Sequence, residues 1–276
     1  MTIAEGLRSA AQRLSTSSGT ARLDAELLMA HALEVSRSDL LLQYLSEPVP
    51  ESFAALVERR LAHEPVAYIL GKAEFYGRDF AVNPAVLIPR GDSETVLEMA
   101  LEYVPQTGRV LDMGTGSGAL LLTILAERET LTGIGVDASP AAVETAIQNA
   151  VDLSLTDRAE MRVADWTGRG WNEGLNNFDL VVCNPPYVET GAQLEPDVIQ
   201  HEPASALFAG SDGLADYRII IPQLGNLLTE TGIAVLEIGR DQAETVAEIA
   251  QMSGFETELR YDLADRPRAL RLCRQN

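Results

Sequence analysis

The sequence predicts an α/β protein built on a doubly wound, mainly parallel sheet, with a small helical domain in front of it. Three observations lead to this prediction. From residue 89 onward, short β-rich segments alternate with helical stretches, as strands joined by crossover helices do. In residues 1–72 the apolar residues recur at the spacing of a helix and do not alternate with polar residues as they do in a strand. Between these regions, residues 73–88 combine a period-two pattern with turn residues, which is typical of a β-hairpin linker.

The apolar residues of the N-terminal region fall on helical faces. Leu23, Leu27 and Leu28 fit one face, and Phe53 and Val57 fit another. Because such faces are buried against one another, we expect residues 1–72 to form a small helical bundle.

The region from residue 89 to residue 276 supplies seven β-rich segments. The last two follow one another without a helix between them, which predicts an antiparallel pair at the edge of the sheet. The segments are residues 109–113, 131–137, 160–165, 178–184, 233–239, 256–262 and 269–274, and the helical stretches are 119–127, 140–151 and 241–252.

The charge balance excludes several classes of function. The chain has 276 residues, of which 41 are acidic and 21 are basic, so its formal net charge is −20. A surface this acidic repels phosphate backbones, and we expect no general binder of nucleic acids or membrane surfaces. Because Lys72 is the only lysine, phosphate-loop ATPase chemistry is also excluded.

The sequence predicts no metal site and no membrane association. Its few cysteines and histidines lack the spacing of metal ligands or of a disulfide framework. They are Cys183, Cys273, His31, His63 and His201. The N-terminus has no apolar core of signal-peptide type, and no segment approaches the roughly 18 apolar residues that span a bilayer. We therefore expect a cytoplasmic protein.

The first motif that carries chemistry is a glycine-rich turn at residues 112–118, Asp-Met-Gly-Thr-Gly-Ser-Gly. It lies between a predicted strand and a predicted helix, which places it at the crevice outside the carboxyl ends of the strands. Glycines let a backbone approach a nucleotide there, although a tight turn without a ligand also uses glycine. The candidate cofactor-binding residues of this turn are Gly114, Thr115, Gly116, Ser117 and Gly118.

Acidic residues after the next two strands extend the candidate cofactor site. Asp137 ends the second strand, where a carboxylate can accept hydrogen bonds from both hydroxyls of a ribose. A charge or cap at the start of the following helix is the alternative interpretation. Asp165 and Trp166 follow the third strand and would flank an adenine, the carboxylate accepting from its amine and the indole covering its face. An adenosine ligand fits this set, and NAD would use the same turn and acidic residue.

The most specific motif is Asn184-Pro185-Pro186-Tyr187, directly after an apolar strand. Two consecutive prolines fix φ and remove backbone donors, so the side-chain oxygen of Asn184 and the carbonyl of Pro185 can act as rigid acceptors. Such a pair suits an NH2 group, and Tyr187 adds an aromatic surface. Asn184, Pro185 and Tyr187 are the candidate catalytic residues. The whole motif, including Pro186, is the candidate substrate site, and Asn184 is also expected to contact the cofactor.

These motifs resemble those of the AdoMet-dependent methyltransferases, which share the glycine turn, the acidic second strand and Asn-Pro-Pro-Tyr after the fourth strand. A closer resemblance is to the release-factor glutamine methyltransferases. It rests on Arg-x3-Glu-Pro-x2-Tyr-Ile-x-Gly at residues 60–71, Glu-Phe-Tyr-Gly at 74–77, and Leu-Ile-Pro-Arg at 87–90 ahead of Glu94. Matching positions within residues 202–214 extend it over nearly the whole chain.

One stretch departs from the family pattern. The family usually reads Ile-Pro-Arg-Pro with Thr-Glu soon after, whereas this chain reads Ile-Pro-Arg-Gly-Asp-Ser-Glu from residue 88. Gly91 replaces a rigid proline, and Ser93 stands where threonine is usual. We expect a looser loop that retains the activity.

The resemblance implies a seven-stranded AdoMet methyltransferase sheet over residues 89–276 and a substrate-docking role for residues 1–72, with residues 73–88 as the linker. It implies S-adenosyl-L-methionine as cofactor and S-adenosyl-L-homocysteine as product. The implied reaction methylates the side-chain amide nitrogen (N5) of the glutamine in the Gly-Gly-Gln motif of peptide chain release factors. The expected partner is a release factor, with no direct nucleic-acid partner, and the expected state is a monomer.

Two alternatives stay open. An amino methyltransferase acting on adenine or guanine would use the same motif on a base amine, but it would need a basic surface. A module that binds the cofactor without transfer would keep the glycine turn. No general base stands out: His201 fits a loop position and Cys183 a buried strand. Glu202 and Asp212 fit capping or loop-ordering roles.

Overall fold

The structure is a computed structural model that describes residues 1–275. The chain forms two compact units. The first contains residues 1–72 and 194–202, and the second contains residues 73–193 and the chain from residue 203 onward. Residues 194–202 were assigned from the sequence to the catalytic domain, so this division differs from the predicted one at that segment.

The secondary structure follows this division. The helices are α1 (Ile3–Leu14), α2 (Ala21–Ala32), α3 (Arg37–Asp39), α4 (Ser52–Leu61), α5 (Val66–Leu70), α6 (Glu94–Tyr103), α7 (Ala119–Glu127), α8 (Pro140–Asp152), α9 (Pro196–His201), α10 (Ala215–Ile220), α11 (Leu224–Leu227) and α12 (Ala243–Met252), with a π-helical turn at Leu40–Tyr44. The strands are β1 (Lys72–Phe75), β2 (Arg78–Ala81), β3 (Gly108–Met113), β4 (Leu131–Asp137), β5 (Ala159–Val163), β6 (Phe178–Cys183), β7 (Leu228–Glu237), β8 (Phe255–Tyr261) and β9 (Pro267–Arg274). None of the helices within residues 1–275 has both the length and the apolar character needed to cross a membrane.

Helix α1 illustrates why the N-terminal region is helical. The Thr2 hydroxyl accepts from the Glu5 amide at 3.4 Å, and the Glu5 carboxylate accepts from the Thr2 amide at 2.8 Å, which is a capping box. Ile3, Leu7 and Leu14 lie on the buried face of this helix. They join apolar residues of α2 and α4 in one core, so the predicted helical bundle is confirmed.

The segment 194–202 is held in the first unit by polar contacts. Arg60 of α4 and Asp24 of α2 form a buried ion pair, with Nε 2.8 Å from Oδ2. The same guanidinium lies 3.6 Å from the Asp197 carboxylate in α9. His201 Nε2 lies 3.2 Å from a backbone carbonyl just after α4. Arg60 thus connects Asp197 of the segment to the buried pair that it forms with Asp24.

Strands β1 and β2 form the predicted hairpin, which is confirmed. Tyr76 and Gly77 connect them, and both have positive φ, 49° and 75°, as a two-residue turn that matches the strand twist requires. The side chain of Asn149 in α8 bonds both backbone groups of Ala81, accepting at 2.7 Å and donating at 3.1 Å. The hairpin is thereby attached to the sheet domain.

In the second unit, as far as residue 275, the strands form a seven-stranded sheet in the order β5-β4-β3-β6-β7-β9-β8. Neighbouring strands from β5 to β7 run parallel, and β9 is antiparallel to both β7 and β8. The predicted doubly wound, mainly parallel sheet with an antiparallel pair at its edge is confirmed. Strand β7 begins at Leu228, five residues before the predicted start at residue 233.

Both faces of the sheet are buried, as is usual for parallel strands. Val110 and Leu180 point into a core shared with α6, α7 and the hairpin. Their neighbours Leu111 and Val181 point into a core shared with α10, α11 and α12. Because both faces are buried, the sequences of these strands are continuous runs of apolar residues.

The carboxyl ends of four parallel strands meet at one edge of the sheet. Met113 pairs with both Val136 and Cys183, and Cys183 pairs with Leu236. The residues that come next on each strand therefore lie side by side, which is where doubly wound sheets bind ligands. These residues are Gly114, Asp137, Asn184 and Glu237.

Candidate active site

A cavity of about 180 Å³ opens at this edge of the sheet. Most of the predicted site residues line it: Gly114, Thr115, Gly116, Ser117, Asp137, Trp166, Asn184 and Pro186. Gly118, Asp165, Pro185 and Tyr187 are predicted site residues that do not belong to its wall. The rest of the wall comes from Phe75, residues 85–87, Pro89, Arg90, Ser93, Asp112, Ala119, Leu120, Ala138, Ser139, Pro203, Ser205 and Ala206. The structure thus brings the glycine turn and the Asn-Pro-Pro-Tyr motif to the same cavity.

The glycine turn is bonded to the neighbouring strand β4. The amides of Gly114 and Thr115 both donate to the Val136 carbonyl at 2.9 Å. The Gly116 amide donates to Asp137 Oδ2, also at 2.9 Å. Gly116 has φ +55°, and no atom lies within 4 Å of the place where a Cβ would be. A glycine here keeps that space open for a ligand.

The carboxylate of Asp137 orders the site rather than capping a helix. Its Oδ1 accepts from the Ser139 amide at 2.9 Å. Ser139 itself is the N-cap of α8, since its hydroxyl accepts from the Ala142 amide at 3.2 Å. Asp137 is only partly buried and lines the cavity, so its remaining lone pairs face ligand space.

Asp112 is a buried acid in the cavity wall that the sequence interpretation gave no role. It is 1% exposed, and its Oδ2 accepts from the Thr115 hydroxyl at 2.7 Å. Within the described part of the chain its Oδ1 has no hydrogen-bond partner. Burial raises the pKa of this carboxyl to about 7, although hydrogen bonds from the Thr115 hydroxyl and the Leu121 backbone lower it; the nearby charge of Asp137 raises it further. The site therefore contains a buried acceptor that a donor or a cation would satisfy.

Asp165 and Trp166 are placed differently from one another. Asp165 is exposed, and its Oδ1 accepts from the hydroxyl and the amide of Thr167, which lower the pKa of its carboxyl. Trp166 is half-buried in the cavity wall, and its indole N–H donates to Asp216 at 2.9 Å. A Cβ on Gly114 would lie 3.2 Å from the indole ring, so the ring packs directly on the glycine turn.

The Asn-Pro-Pro-Tyr motif is connected to a buried glutamate. Asn184 Nδ2 donates to the Ser93 hydroxyl at 3.4 Å, and that hydroxyl donates to Glu237 at 2.5 Å. The Tyr187 hydroxyl donates to the same carboxylate at 3.1 Å. Burial raises the pKa of Glu237 and of Tyr187. Because Ser93 engages the nitrogen of the Asn184 amide, the oxygen of that amide is left for another donor.

Gln242, which belongs to no recognisable sequence motif, holds the segment that follows the Asn-Pro-Pro-Tyr motif in place. Gln242 Nε2 donates to the carbonyls of Tyr187 at 3.0 Å and Gly213 at 3.2 Å. Its Oε1 accepts from the Gly239 amide at 3.0 Å. Gly213 has φ +68°, and a Cβ there would lie 2.3 Å from the Tyr187 carbonyl oxygen. Only a glycine allows this close approach.

Sequence reasoning also missed Glu237. Its only signal was a single acid near the end of the apolar run Ile-Ala-Val-Leu-Glu-Ile-Gly.

The four residues considered as bases or nucleophiles do not line the cavity; they are His201, Cys183, Glu202 and Asp212. Burial raises the pKa of the Cys183 thiol well above its usual value, which leaves it unreactive. His201 and Glu202 belong to the first unit, and Asp212 pairs with an arginine. Within residues 1–275 no group of histidine, cysteine or acidic side chains could hold a metal ion.

Two family models and several curated proteins match this chain. Residues 5–71 match the family model described as PrmC N-terminal domain, and residues 106–261 match the one described as methyltransferase domain. The release factor glutamine methyltransferase of Rhodospirillum rubrum is 40% identical over 256 residues, which are 90% of this chain and 78% of that protein. Its counterpart from Coxiella burnetii is 38% identical over 272 residues, 96% of each chain.

The fold has a counterpart among solved structures. A methyltransferase from Pyrococcus furiosus superimposes with a TM-score of 0.52 at 15% sequence identity, covering 78% of this chain and 95% of that one. The match shows a shared methyltransferase fold. The family models and the relatives above establish that this chain belongs to the release factor glutamine methyltransferase family.

Proposed function

We propose that this chain transfers a methyl group from S-adenosyl-L-methionine to the side-chain amide nitrogen of the Gly-Gly-Gln glutamine in a peptide chain release factor. One observation carries the proposal. The Asn184 side chain lies in the wall of the cavity that the glycine turn also lines, in a chain 38% identical to a release factor glutamine methyltransferase over 96% of its length.

The cavity fits S-adenosyl-L-methionine. Asp137 keeps lone pairs for the two ribose hydroxyls, and the Trp166 ring offers an apolar face for the adenine. Asp112 Oδ1 is buried without a partner, which suits the amino group of the methionine portion. The open space beside Gly116 leaves room for part of this ligand. When bound, this cofactor supplies a methyl group whose bonding electron pair stays with sulfur on transfer, giving S-adenosyl-L-homocysteine.

The chain's own residues act on the acceptor amide. An amide nitrogen is a poor nucleophile because its lone pair is delocalised into the carbonyl. Asn184 Oδ1, in the cavity wall, would accept from one of its protons, and we propose the adjacent Pro185 carbonyl, outside that wall, as a second acceptor. Together they would fix the nitrogen and stabilise the positive charge that develops on it. Correct placement of nitrogen and methyl group can supply roughly 7 to 11 kcal/mol of the barrier reduction. The nitrogen–methyl bond would form as the carbon–sulfur bond breaks, and the cationic N-methyl amide, a strong acid, would then lose one N–H proton to solvent water. The enzyme therefore works by positioning and polarising, without a general base among the residues considered.

We assign docking of the release factor to residues 1–72. Their match to the PrmC N-terminal domain supports this assignment. The net charge of −20 suits a basic protein partner and disfavours a nucleic-acid substrate. We expect the enzyme to be a cytoplasmic monomer that binds neither membranes nor nucleic acid directly.

Labelled methyl transfer tests the proposal. The acceptors are a purified release factor, the same factor with its Gly-Gly-Gln glutamine replaced by alanine, duplex DNA and ribosomal RNA. We expect label on the unmodified release factor alone. Label on nucleic acid and none on the release factor would support a base methyltransferase and contradict the proposal.

A further inference from the structure

A buried carboxylate joins loop 91–93 to the Asn-Pro-Pro-Tyr motif. Glu237 is 1% exposed at the end of β7. Its Oε2 accepts from the Ser93 hydroxyl at 2.5 Å, and its Oε1 accepts from the Tyr187 hydroxyl at 3.1 Å. Ser93 Oγ is in turn 3.4 Å from Nδ2 of Asn184. A continuous chain of hydrogen bonds therefore runs from Glu237 through Ser93 to Asn184.

The chemistry of these groups fixes the direction of the chain. With Glu237 ionised, its carboxylate only accepts hydrogen bonds, so the Ser93 hydroxyl donates to it. With its proton used in this way, Ser93 can only accept from Asn184. Asn184 must therefore turn its NH2 group toward Ser93. Its oxygen is left as the acceptor at the cavity, where an acceptor is what an incoming NH2 group needs.

A second contact holds loop 91–93 in place. Arg268 is buried, and its Nη2 lies 3.0 Å from Oδ2 of Asp92. Its positive charge and the Ser93 hydrogen bond favour the ionised form of Glu237 and offset part of the burial that raises the pKa of this carboxyl. The loop thus keeps Ser93 in place although it lacks the family's proline.

We propose that Ser93 and Glu237 are positioning residues for methyl transfer, which hold the Asn184 amide in the orientation whose oxygen accepts from the substrate NH2 group. Without them, the amide can rotate and present its own NH2 group to the substrate, a donor facing a donor. The inference rests on the proposed function. In this role the Ser93 hydroxyl affects methyl transfer only through the orientation of Asn184.

A double-mutant cycle tests this directly. The full-length variants are Ser93→Ala, Ser93→Thr, Asn184→Ala and the Ser93→Ala/Asn184→Ala pair, assayed for kcat and KM with a release factor and for Kd with S-adenosyl-L-methionine. We expect Ser93→Ala to lower kcat about 10- to 100-fold, as misplacement of a reacting group does. Cofactor Kd should stay within about threefold, and Ser93→Thr, which keeps the hydroxyl, should recover most of the activity.

The Asn184→Ala background separates positioning from general damage. There, Ser93→Ala should lower kcat by less than about twofold, because the residue through which it acts is gone. The Glu237→Gln variant tests the same chain of hydrogen bonds at its other end. The glutamine amide can accept from only one of the Ser93 and Tyr187 hydroxyls and presents a donor to the other, so kcat should fall while the cofactor Kd changes little. Ser253→Ala removes a hydroxyl that bonds the Ile249 carbonyl in α12 and should leave the activity unchanged.

Full activity of Ser93→Ala, or an equal loss in both backgrounds, would overturn this inference while leaving the proposed function intact. No transfer to the release factor by the unmodified enzyme would overturn the proposed function, and the inference with it. A loss in Ser93→Ala accompanied by an equal loss of cofactor affinity and thermal stability would also overturn it, because that pattern indicates structural damage.

Discussion

Replacing Asp112 by asparagine should stabilise the ligand-free protein at pH 8 and weaken its binding of S-adenosyl-L-methionine. Asp112 is 1% exposed, and one of its oxygens has no partner among residues 1–275. An ionised carboxylate in that position is costly to bury. Asparagine keeps an oxygen that can accept from the Thr115 hydroxyl and removes the charge. We propose that bound S-adenosyl-L-methionine supplies a partner for this oxygen.

The magnitude follows from the pKa of the Asp112 carboxyl, which burial raises from 3.8 to about 7. One pKa unit corresponds to about 1.4 kcal/mol, so ionisation in the folded state costs at most about 4 kcal/mol. The contribution of this acid to stability is fully present below pH 3.8, decreases as the pH rises, and is lost above about pH 7. The advantage of the asparagine variant should therefore grow between about pH 4 and pH 7 and then stay constant. Loss of a charged hydrogen bond of about 1.5 to 3 kcal/mol should weaken cofactor binding roughly 10- to 100-fold.

Urea unfolding at pH 5 and pH 8 without ligand, and calorimetric titration with S-adenosyl-L-methionine, measure both effects. The control is Asp157→Asn, which changes an exposed aspartate outside the cavity and should alter neither quantity. An Asp112→Asn protein that is no more stable at pH 8 than the unmodified protein, and that binds the cofactor equally well, would refute the reasoning.

Three further substitutions separate chemistry, cofactor binding and stability. Asn184→Ala should lower kcat about 10²- to 10³-fold in the labelled-transfer assay while calorimetric cofactor Kd changes only a few-fold; equal changes in both would contradict a role in the transition state. Gly116→Ala places a methyl group in the open cavity at φ +55° and should weaken cofactor binding at least about tenfold; an unchanged Kd would place the ligand elsewhere. Asn149→Ala removes bonds to Ala81 and to the Ser117 carbonyl and should cost about 2 to 4 kcal/mol in urea unfolding; a loss below 1 kcal/mol, roughly that of a surface change, would contradict this anchoring role.

The central part of the fold could be predicted from the sequence because its signals are local. Strand β4 and helix α7 begin and end at the predicted residues. Parallel strands buried on both faces read as apolar runs, and the glycine turn separates strand from helix. The meeting of the glycine turn, Asp137 and Asn184 also follows, because the carboxyl ends of parallel strands share an edge.

Other features depend on contacts between distant residues. The start of β7, Leu-Thr-Glu-Thr-Gly, is mostly polar, yet Leu228 pairs with Phe178 of β6. A Cβ on Gly232 would lie 2.6 Å from the Phe178 carbonyl oxygen, so glycine allows this close approach. Ser93 and Glu237 are 144 residues apart, so no local pattern pairs them. The packing of residues 194–202 with the N-terminal helices depends on Arg60, whose partners come from three parts of the chain.

Site-resolved mass spectrometry of the release factor after incubation with enzyme and S-adenosyl-L-methionine tests the central claim most directly. We predict one added methyl group on the side-chain amide nitrogen of the Gly-Gly-Gln glutamine, abolished when Asn184 is replaced by alanine. A methyl group on any other residue, or an unmodified glutamine after full turnover of the cofactor, would contradict it.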